Sequence, residues 1–102
     1  MLPELTDEQR REALDKAMEA RMMRSSVKTA LKAGTLDPVR ALALEEVAGM
    51  RVRAFLTALP GVGGTTADEA LRRLAIAPLR RVRGLGCRQM ERLVDWIENR
   101  EH

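Results

Sequence analysis

The sequence predicts an all-α protein of about five helices. Three observations carry that expectation. Apolar residues recur at i, i+3, i+4, i+7 in three separate windows, residues that start and stop helices bracket those windows, and no segment alternates in the β-branched and aromatic manner of a strand.

Thr6, with Gln9 three residues on, makes a capping box, and the helix it opens meets neither Gly nor Pro until Gly34. That helix is about 27 residues long, or roughly 40 Å at 1.5 Å per residue. At about 100° per residue, Arg10, Arg21, Arg24, Lys28 and Lys32 fall within a stripe of about 80°, with Glu8, Glu12, Asp15 and Glu19 opposite. Its first half lacks a strong apolar stripe, which predicts a projecting arm over 1–34 and a compact part over 35–102. Asp37 followed by Pro38 is an N-cap and a first-turn proline, predicting a second helix through Val39, Leu42 and Leu44 that Gly49 ends. Val52, Phe55, Leu56 and Leu59 form the apolar face of a third helix, stopped by Pro60. Ala67, Ala70, Leu71 and Leu74 mark a fourth, and Met90, Leu93, Val94 and Ile97 a fifth.

Composition narrows the functional classes. The chain of 102 residues is 45% apolar and 32% charged, and no run approaches the eighteen or so apolar residues that a membrane span needs. The opening residues are acidic and polar where an export signal is basic and then apolar, so a cytosolic protein is expected. Cys87 is the single cysteine and His102 the single histidine, which argues against a disulfide, a structural metal or any cofactor. Of 18 basic residues 15 are arginine, whose planar fork suits phosphate. Between Arg51 and Arg88 eight arginines face only Asp68 and Glu69, a local balance of +6 that points to a polyanion partner. With Phe55 and Trp96 the only aromatics, a surface that stacks unpaired bases is hard to build, so duplex fits better than single strands.

Two stretches carry the chemistry. LPGVGG (59–64) leads into a helix whose start is marked by Thr65 or Thr66, with Asp68 or Glu69 three residues further on. Such a glycine turn leaves backbone N–H groups and a helix N-terminus free for phosphate; the plain alternative is a tight turn between packed helices. RRVRGLGCRQ (80–89) also joins two helices. Val82 and Leu85 are interleaved with Arg80, Arg81 and Arg83, so they can tie the loop to the core while the arginines face out, already positioned for phosphates or a minor groove. Arg51 and Arg53 form a second expected contact point, unfavourable with the helix dipole until an anion arrives. Arg88 is a further phosphate candidate, and the basic edge of the first helix (Arg21, Arg24, Lys28, Lys32) a secondary one. Each has a plain alternative as a solvated charged surface.

Nearly the whole chain resembles the integration host factor family of actinobacterial type, small basic nucleoid-associated proteins. The blocks that carry the resemblance are LTDEQRREALDKAMEAR, MRVRAFLTALPGVG and, most specifically, IAPLRRVRGLGCRQ. It implies a long N-terminal helix on a helix-two-turns-helix domain. It also implies duplex DNA binding through backbone and minor groove with little sequence preference, a role in DNA compaction and topology, and no enzymatic activity. Carried over by position, Arg80, Arg81 and Arg83 would contact DNA, Gly61, Val62, Gly63 and Gly64 would offer backbone, and Arg51 and Arg53 would supply the basic stretch before the third helix. Gly64 stands where such motifs commonly have Lys, Thr66 where another basic residue is frequent, and Cys87 where a capping Ser or Asp is expected.

The expectation is therefore a monomeric, cytosolic, nucleoid-associated protein whose partner is double-stranded DNA, with no membrane. An RNA- or ribosome-associated module is the alternative that the residues leave open. A glycosylase-like enzyme is disfavoured by the lack of an interior His and of spare carboxylates near the glycine turn. An adaptor that docks proteins on the first helix remains a third possibility.

Overall fold

The computed structural model describes residues 6–100, so His102 lies outside the described residues. Six α-helices and one 3-10 turn are found there, with no strand among the described residues. α1 spans Asp7–Ala33 and opens on the expected capping box: the Thr6 hydroxyl accepts from the Gln9 N–H (3.1 Å) and the Gln9 side chain accepts from the Thr6 N–H (2.9 Å). Gly34 ends it at φ 77°, a left-handed conformation that suits a residue without Cβ.

Nothing in α1 is fully buried before Leu31, which joins the core with Val27 packed beside it. The helix packs on α3 and leaves its N-terminal half in solvent. The radius of gyration, 16.1 Å, therefore exceeds the ~13 Å of a compact chain of this length.

The single second helix expected from Pro38 to Gly49 is instead two short ones, α2 (Pro38–Ala41) and α3 (Glu45–Ala48). The chain turns at Leu42–Leu44, and extended Leu44 (ψ 138°) caps α3. The reason is tertiary. Ala41 and Val47 are fully buried while Leu36, Val39, Leu42 and Leu44 pack partly against the core, and a straight helix would spread those residues around its circumference. Asp37 caps α2 as expected, accepting from the Val39 N–H at 3.0 Å.

α4 (Val52–Thr57) buries Val52, Phe55 and Leu56 and ends before Pro60, while Leu59 stays in the core beyond it. It packs on α5 (Gly64–Arg73), whose Ala67, Ala70 and Leu71 are buried with the following Leu74. A 3-10 turn (Val82–Gly84) then leads to α6 (Cys87–Arg100), which buries Leu93 and Ile97 and contacts α2. The three apolar windows of the sequence thus meet in one core, and among the described residues no polar side chain is buried in it.

α5 ends in a Schellman arrangement: the Ile76 N–H donates to the Leu71 carbonyl (2.9 Å) and the Ala75 N–H to that of Arg72 (3.2 Å). Ala75 occupies the left-handed position at φ 55° without being glycine. We expect Ala75→Gly to stabilise the fold by about 1 kcal/mol, net of the greater freedom that glycine gives the unfolded chain, and to raise Tm by a few degrees. An unchanged or lower Tm in thermal unfolding followed by circular dichroism would refute this.

Candidate nucleic-acid interface

The loop of residues 80–86 is fixed by its backbone. The Val52 N–H donates to the Arg80 carbonyl and the Val82 N–H to the Met50 carbonyl, both at 2.9 Å. These two bonds flank the pair Arg51 and Arg81 and make it an isolated antiparallel bridge. Residues so paired, between rather than within the hydrogen bonds, have Cα atoms only ~4.5 Å apart and side chains on the same side. Val82 is buried and Leu85 packs partly against the core, as the sequence predicts, so side chain and main chain pin the loop together. Of the second expected contact point, Arg51 thus joins the basic loop in one cluster, while Arg53 turns to Asp68 of α5.

Like charges directly opposite each other across a ladder repel. No carboxylate relieves the Arg51–Arg81 pair, because among the described residues the one ion pair is Arg53–Asp68. Backbone carbonyls orient the loop's side chains instead. The Arg81 guanidinium donates to Gly49 O at 2.6 Å, that of Arg80 to Gly84 O at 3.2 Å and that of Arg83 to Ala48 O at 3.4 Å. A guanidinium carries five donors, so each arginine keeps most of them for a ligand. Arg51, Arg80, Arg81, Arg83 and Arg88 are all exposed.

The glycine turn departs from expectation in two places. Val62 is buried and its N–H is committed to the Leu59 carbonyl (3.2 Å), so this residue holds the turn together and has no free amide to offer. Neither Thr65 nor Thr66 starts α5; the helix begins at Gly64 with Gly63 as N-cap and no side-chain cap. The extended conformation of Gly63 lets the helix begin earlier than a Thr cap would. Gly61 is exposed with φ 75°, which favours glycine.

Asp68, read from sequence as a helix-start acid, accepts a hydrogen bond from Arg53 Nε at 2.9 Å. That bond holds the Asp68 carboxyl below the usual carboxylate range, with Arg72 adding to the effect, and raises Arg53. Gln89 has a role that the expected contacts do not include. Its side-chain oxygen accepts from the Gly86 N–H and its amide donates to Ala75 O, both at 3.2 Å, capping α6 and tying it to the end of α5. Gln at the third helical position was the available signal.

The basic edge of α1 does not act as a block. Arg24 lines a groove with Gly49 and Arg83, beside the cluster, but Glu19, Glu45 and Glu46 line it too. Lys28 and Lys32 lie further along the helix, where Lys32 Nζ reaches Thr57 O at 3.5 Å. Arg21 is exposed. Among the described residues no group of three or more His, Cys, Asp or Glu side chains is arranged to hold a metal ion, and no helix is long and apolar enough to cross a membrane.

Residues 21–96 match the model of the S13-like H2TH domain. Proteins named integration host factor from Mycolicibacterium smegmatis and Mycobacterium tuberculosis are each 48% identical over 98 residues, covering 92% of this chain and 93% of theirs. The chain belongs to the integration host factor family. Its member from Streptomyces coelicolor is 45% identical over 96 residues, covering 90% of both chains. A solved structure of sIHF bound to an 8 bp palindromic DNA matches with TM-score 0.76 and 36% identity, covering 81% of this chain and 98% of that one. The all-α fold with a long first helix is thus that of the family.

Proposed function

We propose that this chain is an architectural protein of the nucleoid that binds duplex DNA as a monomer, with little sequence preference, and so compacts DNA and alters its topology. Arg51, Arg80, Arg81 and Arg83 contact the phosphate backbone and the minor groove. Gly61, Gly63 and Gly64 offer close backbone approach, Val62 holds their turn, and Arg53 and Arg88 add phosphate contacts. Arg21, Arg24, Lys28 and Lys32 extend the contact only where the duplex lies along α1.

The observation that carries this reading is the Arg51–Arg81 bridge. Two segments thirty residues apart hold two arginines side by side without an acid between them, an arrangement that costs repulsion in the free protein and loses that cost when a polyanion arrives. A related protein solved with DNA supports the choice of polyanion. The loop carries only arginines as polar side chains, with no amide to read adenine and no carboxylate to read cytosine, so its repertoire for base edges is narrow.

The test is binding to two unrelated duplexes across a salt series. Neutralising about five phosphates gives a slope of log K against log salt of roughly −4 to −5 on both. A slope near zero overturns the reading, and a large difference between the two duplexes overturns its lack of sequence preference. Stronger displacement by duplex RNA than by duplex DNA of equal length would move the target to RNA.

A further inference from the structure

The Arg53–Asp68 pair sits in an unusual place. Arg53 projects from the first turn of α4 and Asp68 from the first half of α5, so their bond spans the Pro60–Gly64 turn. Asp68 takes Nε, the inner nitrogen of the fork, which leaves both terminal nitrogens free. One of these, Nη2, lies only 2.8 Å from where a Cβ at position 64 would stand. The guanidinium therefore fills the space that a side chain of residue 64 would fill. It is not buried there: Arg53 keeps 46% of its side-chain surface and Asp68 51%.

The geometry points to Arg53 as the cation of the glycine turn, lent across the hairpin from α4. Gly64 makes the room for it, and Asp68 is the positioning residue that aims it and holds back part of its charge. This rests on the duplex-binding reading above and deepens it. The turn carries no basic side chain of its own from Pro60 to Ala67, so without Arg53 it has no side chain to neutralise a phosphate. Only a residue without Cβ at 64 lets the planar fork lie there. Gly64 has no positive φ, so its role is room for Arg53 and not backbone freedom. Asp68 is held ionised by the same bond, and its charge subtracts from what the duplex meets.

The experiment is a double-mutant cycle on the full chain, read by duplex affinity, salt slope and thermal stability. Arg53→Ala loses about one unit of salt slope and, near 0.15 M salt, roughly fivefold in affinity. Gly64→Ala has nearly the same effect while leaving Tm unchanged or raised, because alanine is the better helix residue and only the tip of a flexible side chain must move. In the Arg53→Ala background Gly64→Ala costs nothing more, and Gly64→Lys restores the lost unit by carrying the cation on the turn itself. Asp68→Asn, which keeps an acceptor for Nε but removes the charge, strengthens binding by roughly fivefold.

Additive losses from Gly64→Ala and Arg53→Ala overturn the inference. So does a Gly64→Lys variant that fails to restore the slope, or weaker binding by Asp68→Asn. If wild type keeps its slope of roughly −4 to −5 while these variants fail, only this inference falls. If wild type shows no salt-dependent duplex binding, the functional reading falls first.

Discussion

Replacing Arg80, Arg81 and Arg83 together by alanine is expected to reduce duplex affinity on the order of a hundredfold near 0.15 M salt and to flatten the salt slope by about three units. Each arginine removed takes away one neutralised phosphate, and counterion release makes the three losses multiply. The loss should be the same on unrelated duplexes, because contacts to phosphate carry no sequence information. The fold should survive. The loop is held by the Val52 to Arg80 and Val82 to Met50 backbone bonds and by buried Val82, none of which needs a guanidinium. The side-chain bonds to the Gly84 and Ala48 carbonyls are exposed, where the loss is modest, and that to the buried Gly49 carbonyl costs more, though less than the core burial that holds the fold. Gel-shift or anisotropy titrations at several salt concentrations, beside a far-ultraviolet spectrum of the variant, decide the matter. A variant that stays folded and keeps its slope would move the centre of binding away from this loop.

Phe55→Ala tests the other half of the molecule, its core. Phe55 is fully buried on α4, between Val52 and Leu56 in sequence and among the largest buried side chains of the core. Truncation of a buried phenylalanine removes about 3–5 kcal/mol, a large share of the ~5–15 kcal/mol that holds an ordinary domain folded. Tm should fall by roughly 12–30 °C. The variant should still bind duplex at temperatures where it is folded, with an unchanged salt slope, since no cation is touched. A fall of only a few degrees would mean that the helices around Phe55 close the gap, and that α4 is less tightly packed than its burial implies.

Much of this fold was legible in the sequence because its signals are local. The capping box at Thr6 and Gln9, the stop at Gly34 and the i, i+3, i+4, i+7 windows each need only a few consecutive residues, and the structure follows them. The break at Leu42–Leu44 was not legible. No glycine or proline marks it, and it arises where four leucine and valine side chains must all reach one core. The site divides the same way. The exposure of Arg80, Arg81 and Arg83 and the anchoring by Val82 follow from their interleaving, which is local. That Arg51 meets Arg81 and Arg53 meets Asp68 depends on pairings across thirty and fifteen residues, which no local pattern encodes. The assignment of Asp68 to a helix start failed for that reason, since only the fold brings Arg53 to it, whereas Val62 spends its amide on a local turn bond to the Leu59 carbonyl.

The Arg51–Arg81 bridge separates two tasks, holding the loop's shape and setting its charge. Its register is written in N–H and C=O groups, which every residue other than proline possesses, so the identities of the side chains at 51 and 81 are left free. Charge on this face can therefore be dialled up or down, one residue at a time, while the loop keeps its shape. A chain built this way can trade affinity against exchange rate without renegotiating its fold, and a small library varied at 51, 80, 81 and 83 should yield a graded series of folded proteins that differ chiefly in how long they stay on a duplex.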